Sequence, residues 1–296
     1  MGIGNETLKR AFDAVWEHGY LTRKNLAKLI NSSEVSSGRA VDILVNAGLL
    51  SLSKGNAAGR VSDIISISKD RLCLLINLCG TNVRFSVIPL SGPIDIHSSP
   101  LLSLRDESSN LSIALSNIAR YISVNCISLD SIAVAIPNIS GSPEPEFFIQ
   151  ALSDCGLCPD VIVSGADAAS KSLNSRFAFM SVGQVIWGCS WAEPSRMLDW
   201  GKIKVGAHHG ESLASVLSYD TDAEHLKVYL KRALSSISTI LSPDRLYITS
   251  SFLPEAVIDI TNEMKLVENV SNRDPIMYGL LRFAGESLFQ KFILNL

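Results

Sequence analysis

The chain has 296 residues, 47% of them hydrophobic and 19% charged, a balance that fits roughly two folded domains and excludes a disordered, fibrous or coiled-coil protein. Its formal net charge of -3 rules out a polyanion-binding surface spread over the whole molecule, but residues 1–62 carry eight Lys or Arg against five Asp or Glu, so the cationic part is N-terminal. No apolar run approaches the roughly 18 residues of a bilayer span, and the charged amphipathic start lacks the core of a signal peptide; a cytoplasmic protein with no membrane partner is expected. Six scattered cysteines in a chain that can build its own core are expected to stay reduced.

Leu8, Phe12, Val15 and Trp16 recur at helical spacing, and Gly19 ends that helix. Thr22 is placed to cap a second helix with Leu26, Leu29 and Ile30 inside. After the turn Asn31-Ser32-Ser33, a third helix is expected from about Glu34 to Ala47, with Val41, Leu44 and Val45 buried and Gly48 as its terminator. Leu49–Leu52 and Val61–Ile67 then read as strands around a glycine-bearing loop. Two helices joined by a tight turn and followed by such a hairpin make a winged helix-turn-helix over residues 1–68.

In that motif the N-terminal residues of the second helix of the pair face base edges, which makes Ser33, Ser36, Ser37 and Arg39 the candidate readers. Thr22, Arg23, Lys24 and Lys28 are placed for the phosphates of double-stranded DNA, and Arg60 on the hairpin for the backbone or minor groove. Glu34 and Asp42 on the reading helix favour instead a protein-docking module.

From Leu72 the rhythm changes to an α/β alternation. Strands are expected at Leu72–Asn77, Val83–Ile88, Ser131–Ile136, Val161–Val163, Phe177–Val182 and Leu246–Thr249. Helices are expected at about Leu111–Val124, Ala168–Leu173, Asp222–Leu241 and Asp274–Lys291. Two strand-led lobes, 69–125 and 126–296, would leave a cleft between them, with the C-terminal helix returning to the first; no repeat of 20–50 residues is visible. Cys155-Gly-Leu-Cys158 lacks the second pair of a zinc site and reads as ordinary loop, and Trp187, Trp191 and Trp200 read as core.

Ile76 to Arg84 is a glycine-centred turn between two strands, a shape that brings backbone amides and a hydroxyl close to an anion. Coming after a winged helix that closes on Ala47-Gly48-Leu49-Leu50 and Gly59-Arg60, this order resembles the ROK family of repressors, open reading frames and sugar kinases over nearly the whole chain. Gly80, Thr81 and Arg84 match that family's first phosphate turn. The resemblance implies a winged helix-turn-helix followed by an actin-like (ribonuclease H-like) two-lobed sugar kinase fold. It also implies a cleft in which Asn138, Asp167 and Glu211 are the counterparts of the sugar-binding asparagine, acid and glutamate.

The departures from the family pattern point to lost chemistry. Asn77 replaces the aspartate of the first turn, and Asn138 replaces a glycine. The asparagine that should precede the catalytic aspartate at Asp167 is missing. Val185, Ile186 and Trp187 crowd the second phosphate loop, Ser212-Leu213-Ala214 stands where a zinc-ligating histidine should follow, and serines replace the adenosine glycine pair after Thr249. Phosphoryl transfer needs all of these parts positioned together. The expectation is therefore a non-enzymatic DNA-binding transcriptional regulator, a repressor, with no catalytic residue, cofactor or metal and with a sugar or sugar phosphate as effector. One winged helix covers one half-site, so a homodimer or homotetramer is expected. An ATP-dependent sugar kinase using Asp167 as base, and a protein-interaction scaffold, are the alternatives.

Overall fold

The computed structural model describes residues 4–57, 60–79, 82–92, 94, 97–100, 107–138, 143–173, 176–182, 186–205, 211–219, 223–250, 254–270 and 274–295. The N-terminal region runs α1 (Asn5–His18), β1 (Tyr20–Thr22), α2 (Arg23–Leu29), α3 (Glu34–Asn46), β2 (Leu50–Ala57) and β3 (Arg60–Ile67), the element order of a winged helix. Leu8, Phe12 and Val15 of α1 meet Leu26 of α2 and Ala40, Val41 and Leu44 of α3 in one core. The Thr22 hydroxyl oxygen accepts the Asn25 N–H at 3.2 Å and that of Ser33 accepts the Ser36 N–H at 3.1 Å, so both caps belong to residues whose short side chains can reach the free amides of a first turn. Gly48, at φ 69°, reverses the chain after α3.

Two differences from the expected pattern appear here. Leu29, the last residue of α2, is exposed, and Ala27 takes its place inside. The hairpin is more regular than expected: β2 and β3 pair without interruption from Leu50↔Ile67 to Ala57↔Arg60, and three-residue β1 joins β3 on its other edge, giving the order β1-β3-β2.

The second sheet holds β4 (Leu72–Asn77), β5 (Asn82–Pro89), β6 (His97–Pro100), β7 (Ser131–Ile136) and β8 (Val161–Ser164) in the order β6-β5-β4-β7-β8. β7 and β8 run parallel to β4, while β5 and β6 run antiparallel. Both faces are covered, so alternate residues go to different cores and the strand reads as one apolar run. Leu74 and Ile76 face α4 (Glu107–Val124) and α5 (Pro145–Asp154), whereas Cys73 and Leu75 face the C-terminal helix α10 (Pro275–Leu294). The boundary expected near residue 125 therefore falls inside a sheet, because β7 and β8 complete the sheet that β4 begins.

After α6 (Gly165–Ser172) the third sheet holds β9 (Phe177–Val182), β10 (Ile186–Ser190), β11 (Glu193–Asp199), β12 (Arg245–Ser250) and β13 (Val267–Asn269), in the order β11-β10-β9-β12-β13. A 3-10 turn (Trp200–Lys202), α7 (Leu213–Tyr219) and α8 (Ala223–Leu241) follow β11, and α9 (Pro254–Glu263) joins the last two strands. Leu230, Ala233, Leu234 and Ile237 of α8 pack on Ala178, Met180, Leu246 and Ile248, as the apolar face of that helix predicts. The second and third sheets share one topology, three antiparallel strands and then two parallel to the first. Each ends in a helix, α6 or α10, and the two helices cross so closely that a Cβ on Gly279 would lie 1.7 Å from the Ala168 carbonyl oxygen.

α10 also carries the N-terminal region. The Phe289 ring stacks on Phe12 with centroids 5.5 Å apart, a Cβ on Gly285 would lie 2.5 Å from the Trp16 ring, and Arg282 pairs with Glu17 at 3.4 Å. Arg71 ties the same join from the other side, donating to the Ala47 carbonyl and to Asp130, each at 2.7 Å. No helix among the described residues is long and apolar enough to cross a membrane.

Candidate functional site

Two regions collect the expected site residues, the outer face of α3 and the edge where β4, β7 and β8 end. On α3 the inner stripe is Ser37, Ala40, Val41 and Leu44, spaced by three or four residues. This corrects the expectation for Ser37: it is fully buried, and its hydroxyl donates to the Glu34 carbonyl, so it cannot face a base. The outer stripe is Val35, Arg39, Asp42 and Asn46, all exposed. Ser33 and Ser36, at the tip, hydrogen-bond each other at 3.0 Å.

Arg23 is also corrected. Its guanidinium donates to the Gly38 carbonyl at 3.1 Å and to Asp42 at 2.8 Å, and it approaches Asp63 of β3 at 3.8 Å, so it braces α3 against the hairpin in place of standing free for a phosphate. The same contact takes up the Asp42 carboxylate, one of the two anions that weighed against DNA. Lys54 donates to Asp63 at 2.6 Å and, with Arg23, holds that carboxyl below its ordinary value. Lys24, Lys28 and Arg39 are exposed, and their side chains make no hydrogen bond or ion pair among the described residues. Thr22 is spent as a helix cap, and the Arg60 side chain lies outside the described residues.

Parallel β-strands leave a crevice beyond their carboxyl ends, where ligands of open α/β sheets bind. Here Asn77 closes β4, Asn138 follows β7, and Ser164 closes β8, in register through Asn77↔Ala135 and Ile136↔Ser164. Asn138 is exposed, and its backbone N–H approaches the Met197 sulfur of β11 at 3.1 Å, so the end of one sheet meets the edge strand of the other. Asp167, half-buried in the first turn of α6, accepts the Ser164 hydroxyl at 2.7 Å while its own N–H donates to that oxygen at 3.0 Å. That reciprocal cap fixes the carboxylate at a helix N-terminus, where negative charge is favoured. Glu211 sits across the chain, its carbonyl accepting the Val205 N–H at 2.9 Å beside the Lys204↔Ser212 bridge that leads into α7. Gly80 and Thr81 lie outside the described residues.

Asp274, which the sequence shows only as the start of a helix, organises this edge. It is buried; one oxygen caps α10 by accepting the Ile276 N–H at 2.9 Å, and the other receives Arg84 at 3.1 Å and the Asn77 amide at 3.2 Å. Asn77 in turn accepts the Cys79 N–H at 2.9 Å. An asparagine suits this place because it presents a donor to a buried carboxylate, where an aspartate would present a second negative charge.

The segment expected as a second phosphate loop is a β-hairpin, with Ile186 and Trp187 of β10 paired to Val182 and Ser181 of β9; 183–185 lie outside the described residues. Trp187 is buried, and its indole N–H donates to the Cys79 carbonyl at 3.0 Å. A Cβ on Gly165 would lie 2.5 Å from the Cys79 sulfur and 3.3 Å from the indole ring, so the space between Cys79, Gly165 and Trp187 is filled. Trp200 is half-buried and donates to the Phe179 carbonyl at 2.9 Å, but Trp191 lies on the surface under the Arg176 guanidinium and is not core.

All six cysteines are free. Burial pushes the Cys73 and Cys189 thiols up to about 12 and Cys79 well above its ordinary value, so these three are not nucleophiles at neutral pH. Cys155 turns toward the Ser112 carbonyl and Ser116 of α4, and Cys158 is exposed. Among the described residues no group of three His, Cys, Asp or Glu is placed to hold a metal ion.

Two sheets of the same topology, each closed by a helix that crosses its counterpart, define an actin-like sugar kinase fold in an α/β chain. The fold is that of a ROK family transcriptional regulator, a homolog of the E. coli MLC protein, which is 12% identical; 99% of this chain and 100% of that one superpose with a TM-score of 0.62. An inorganic polyphosphate/ATP-glucomannokinase from Arthrobacter sp. strain KM, also 12% identical, matches 77% of this chain and 100% of its own with a TM-score of 0.52. No protein-family model matches the chain, and no curated protein matches it by sequence.

Proposed function

We propose that the chain is a ROK-type DNA-binding transcriptional regulator, acting as a repressor, whose sugar kinase-like region no longer transfers phosphate. The observation that carries the proposal is the Trp187 indole bonded to the Cys79 carbonyl at the kinase-like edge, in a chain that also bears an exposed Arg39 on α3 and exposed Lys24 and Lys28 on α2. Phosphates approach glycine-rich backbone closely, and an indole packed against Cys79 and Gly165 takes the space there. Sharing a fold with a regulator over nearly its full length, where the kinase likeness spans 77%, supports the same choice.

Residues 1–68 act as the winged helix-turn-helix, with Arg39 toward base edges, Lys24 and Lys28 toward phosphates, and Arg60 on the hairpin toward the DNA backbone. Two half-sites require two copies, so the chain works as a homodimer or a homotetramer. Arg39→Ala should relax sequence preference, while Arg60→Ala should weaken binding to all duplexes alike, each by about 1–3 kcal/mol. Gel shifts on genomic fragments recovered with the protein check both; unchanged shifts for both variants would remove the DNA interface.

The protein should show no sugar-dependent ATP hydrolysis. Turnover that disappears in Asp167→Asn would restore the kinase reading.

The proposed effector is a sugar or sugar phosphate, taken in the crevice beyond β7 and β8 by Asn138 and Asp167, with Glu211 as the third group that the resemblance names. α10 links that crevice to the winged helix, since Asp274 at its start touches the β4 edge and Phe289, about 22 Å further along, stacks on Phe12. A monosaccharide or its phosphate at millimolar concentration should raise the melting temperature of the wild type, and raise it less for Glu211→Ala. A broad sugar panel with no shift would leave the cleft without a ligand.

A further inference from the structure

The outer stripe of α3 contains one apolar side chain, and nothing inside the protein explains it. Val35 is 66% exposed in the first turn, where a β-branched residue neither favours the helix nor buries its methyl groups. Of the polar groups around it, Ser33 and Ser36 bond each other and the Asp42 carboxylate is taken by Arg23, while the neighbouring Glu34 carboxylate is exposed. The side chain of Arg39, one turn on and on the same face, makes no hydrogen bond or ion pair among the described residues. A partner surface for this stripe must therefore offer an apolar group and, about 6 Å away along a helix rising 1.5 Å per residue, a hydrogen-bond acceptor for a cation.

The major groove offers one apolar group, the 5-methyl of thymine, and its best acceptor pair for arginine is O6 and N7 of guanine. Base pairs stack every 3.4 Å, so a spacing of about 6 Å corresponds to one or two steps. We propose that Val35 reads a thymine methyl within two base pairs of the guanine read by Arg39, which makes this residue a determinant of operator choice. The assignment rests on the DNA-binding function proposed above. Lys24 and Lys28, exposed on neighbouring α2, supply the positive field that favours DNA over an apolar protein partner at this stripe.

The test uses the full chain and duplexes that the wild type selects from a random pool. Each thymine of the selected half-site is replaced in turn by deoxyuridine, which removes the methyl and keeps the pairing. At one position, within two base pairs of a guanine, wild-type binding should weaken about fourfold, the worth of one buried methyl group. Val35→Ala should bind the parent duplex more weakly by a similar factor and be indifferent to that replacement, with its melting temperature not lowered. Lys28→Ala should weaken both duplexes equally. Wild-type indifference to deoxyuridine at every thymine, or a Val35→Ala variant that keeps the full penalty, overturns the assignment while DNA binding stands. A pool from which no sequence is enriched overturns DNA binding itself, and Val35 with it.

Discussion

Replacing Asp274 by Ala should cost about 3–5 kcal/mol of folding stability, the usual loss when one partner of a buried charge pair is removed. The carboxylate is 4% exposed and serves two elements at once. One oxygen satisfies the Ile276 and Met277 amides at the start of α10, at 2.9 and 3.4 Å, and its loss alone is worth about 1 kcal/mol. The other oxygen accepts from the Arg84 guanidinium and the Asn77 amide, and both donors would lose that acceptor in a buried or half-buried place. Asn77→Asp should also destabilise, because it sets a second carboxylate against Asp274. Denaturant midpoints check both variants.

Trp187→Ala should cost a comparable 3–5 kcal/mol, as removal of a fully packed aromatic does elsewhere. The ring meets Phe179 edge-on with centroids 5.5 Å apart and fills the space beside Gly165, and its N–H is a donor to the Cys79 carbonyl. Trp187→Phe separates these contributions: it keeps most of the volume but strips the carbonyl of its donor, a loss of about 1–2 kcal/mol. Neither variant should gain ATP turnover, because position 77 still holds no carboxylate and Asp167 is still engaged by Ser164. Urea unfolding with a parallel ATPase assay checks the pair. A stable Trp187→Ala protein that hydrolyses ATP would show that the indole is a plug in a competent site.

Much of the architecture was legible in the sequence where burial on both faces leaves a continuous apolar run. β4, β7 and β9 occur at the expected residues because Leu72–Asn77, Ser131–Ile136 and Phe177–Val182 are such runs. The duplication of the two sheets was not legible, since it is a repeat of topology, with different residues filling each lobe. β10 was missed because Ile186 to Ser190 lies where the family carries a loop, although its residues are buried in strand fashion. α5 and α9 were missed too, yet each begins with a proline in its first turn, a helix-start signal present in the sequence at Pro145 and Pro254.

The site was less legible than the fold. Ser37 was read from its position near a helix start, while its spacing from Val41 and Leu44 already placed it inside. Arg23 looked like a phosphate ligand because its partners, Gly38, Asp42 and Asp63, are 15 to 40 residues away and only the fold brings them together. Asp274 joins Asn77 and Arg84 across 197 and 190 positions, a separation that no local pattern reveals.

The most direct test of the central claim is the affinity of the full chain for a duplex it selects, measured against a scrambled duplex of equal length and composition in about 150 mM salt. A sequence-reading regulator predicts a ratio of about 10³ or more, with the selected duplex bound in the nanomolar range and its affinity falling steeply as salt is raised. A ratio near one at every salt concentration would contradict it.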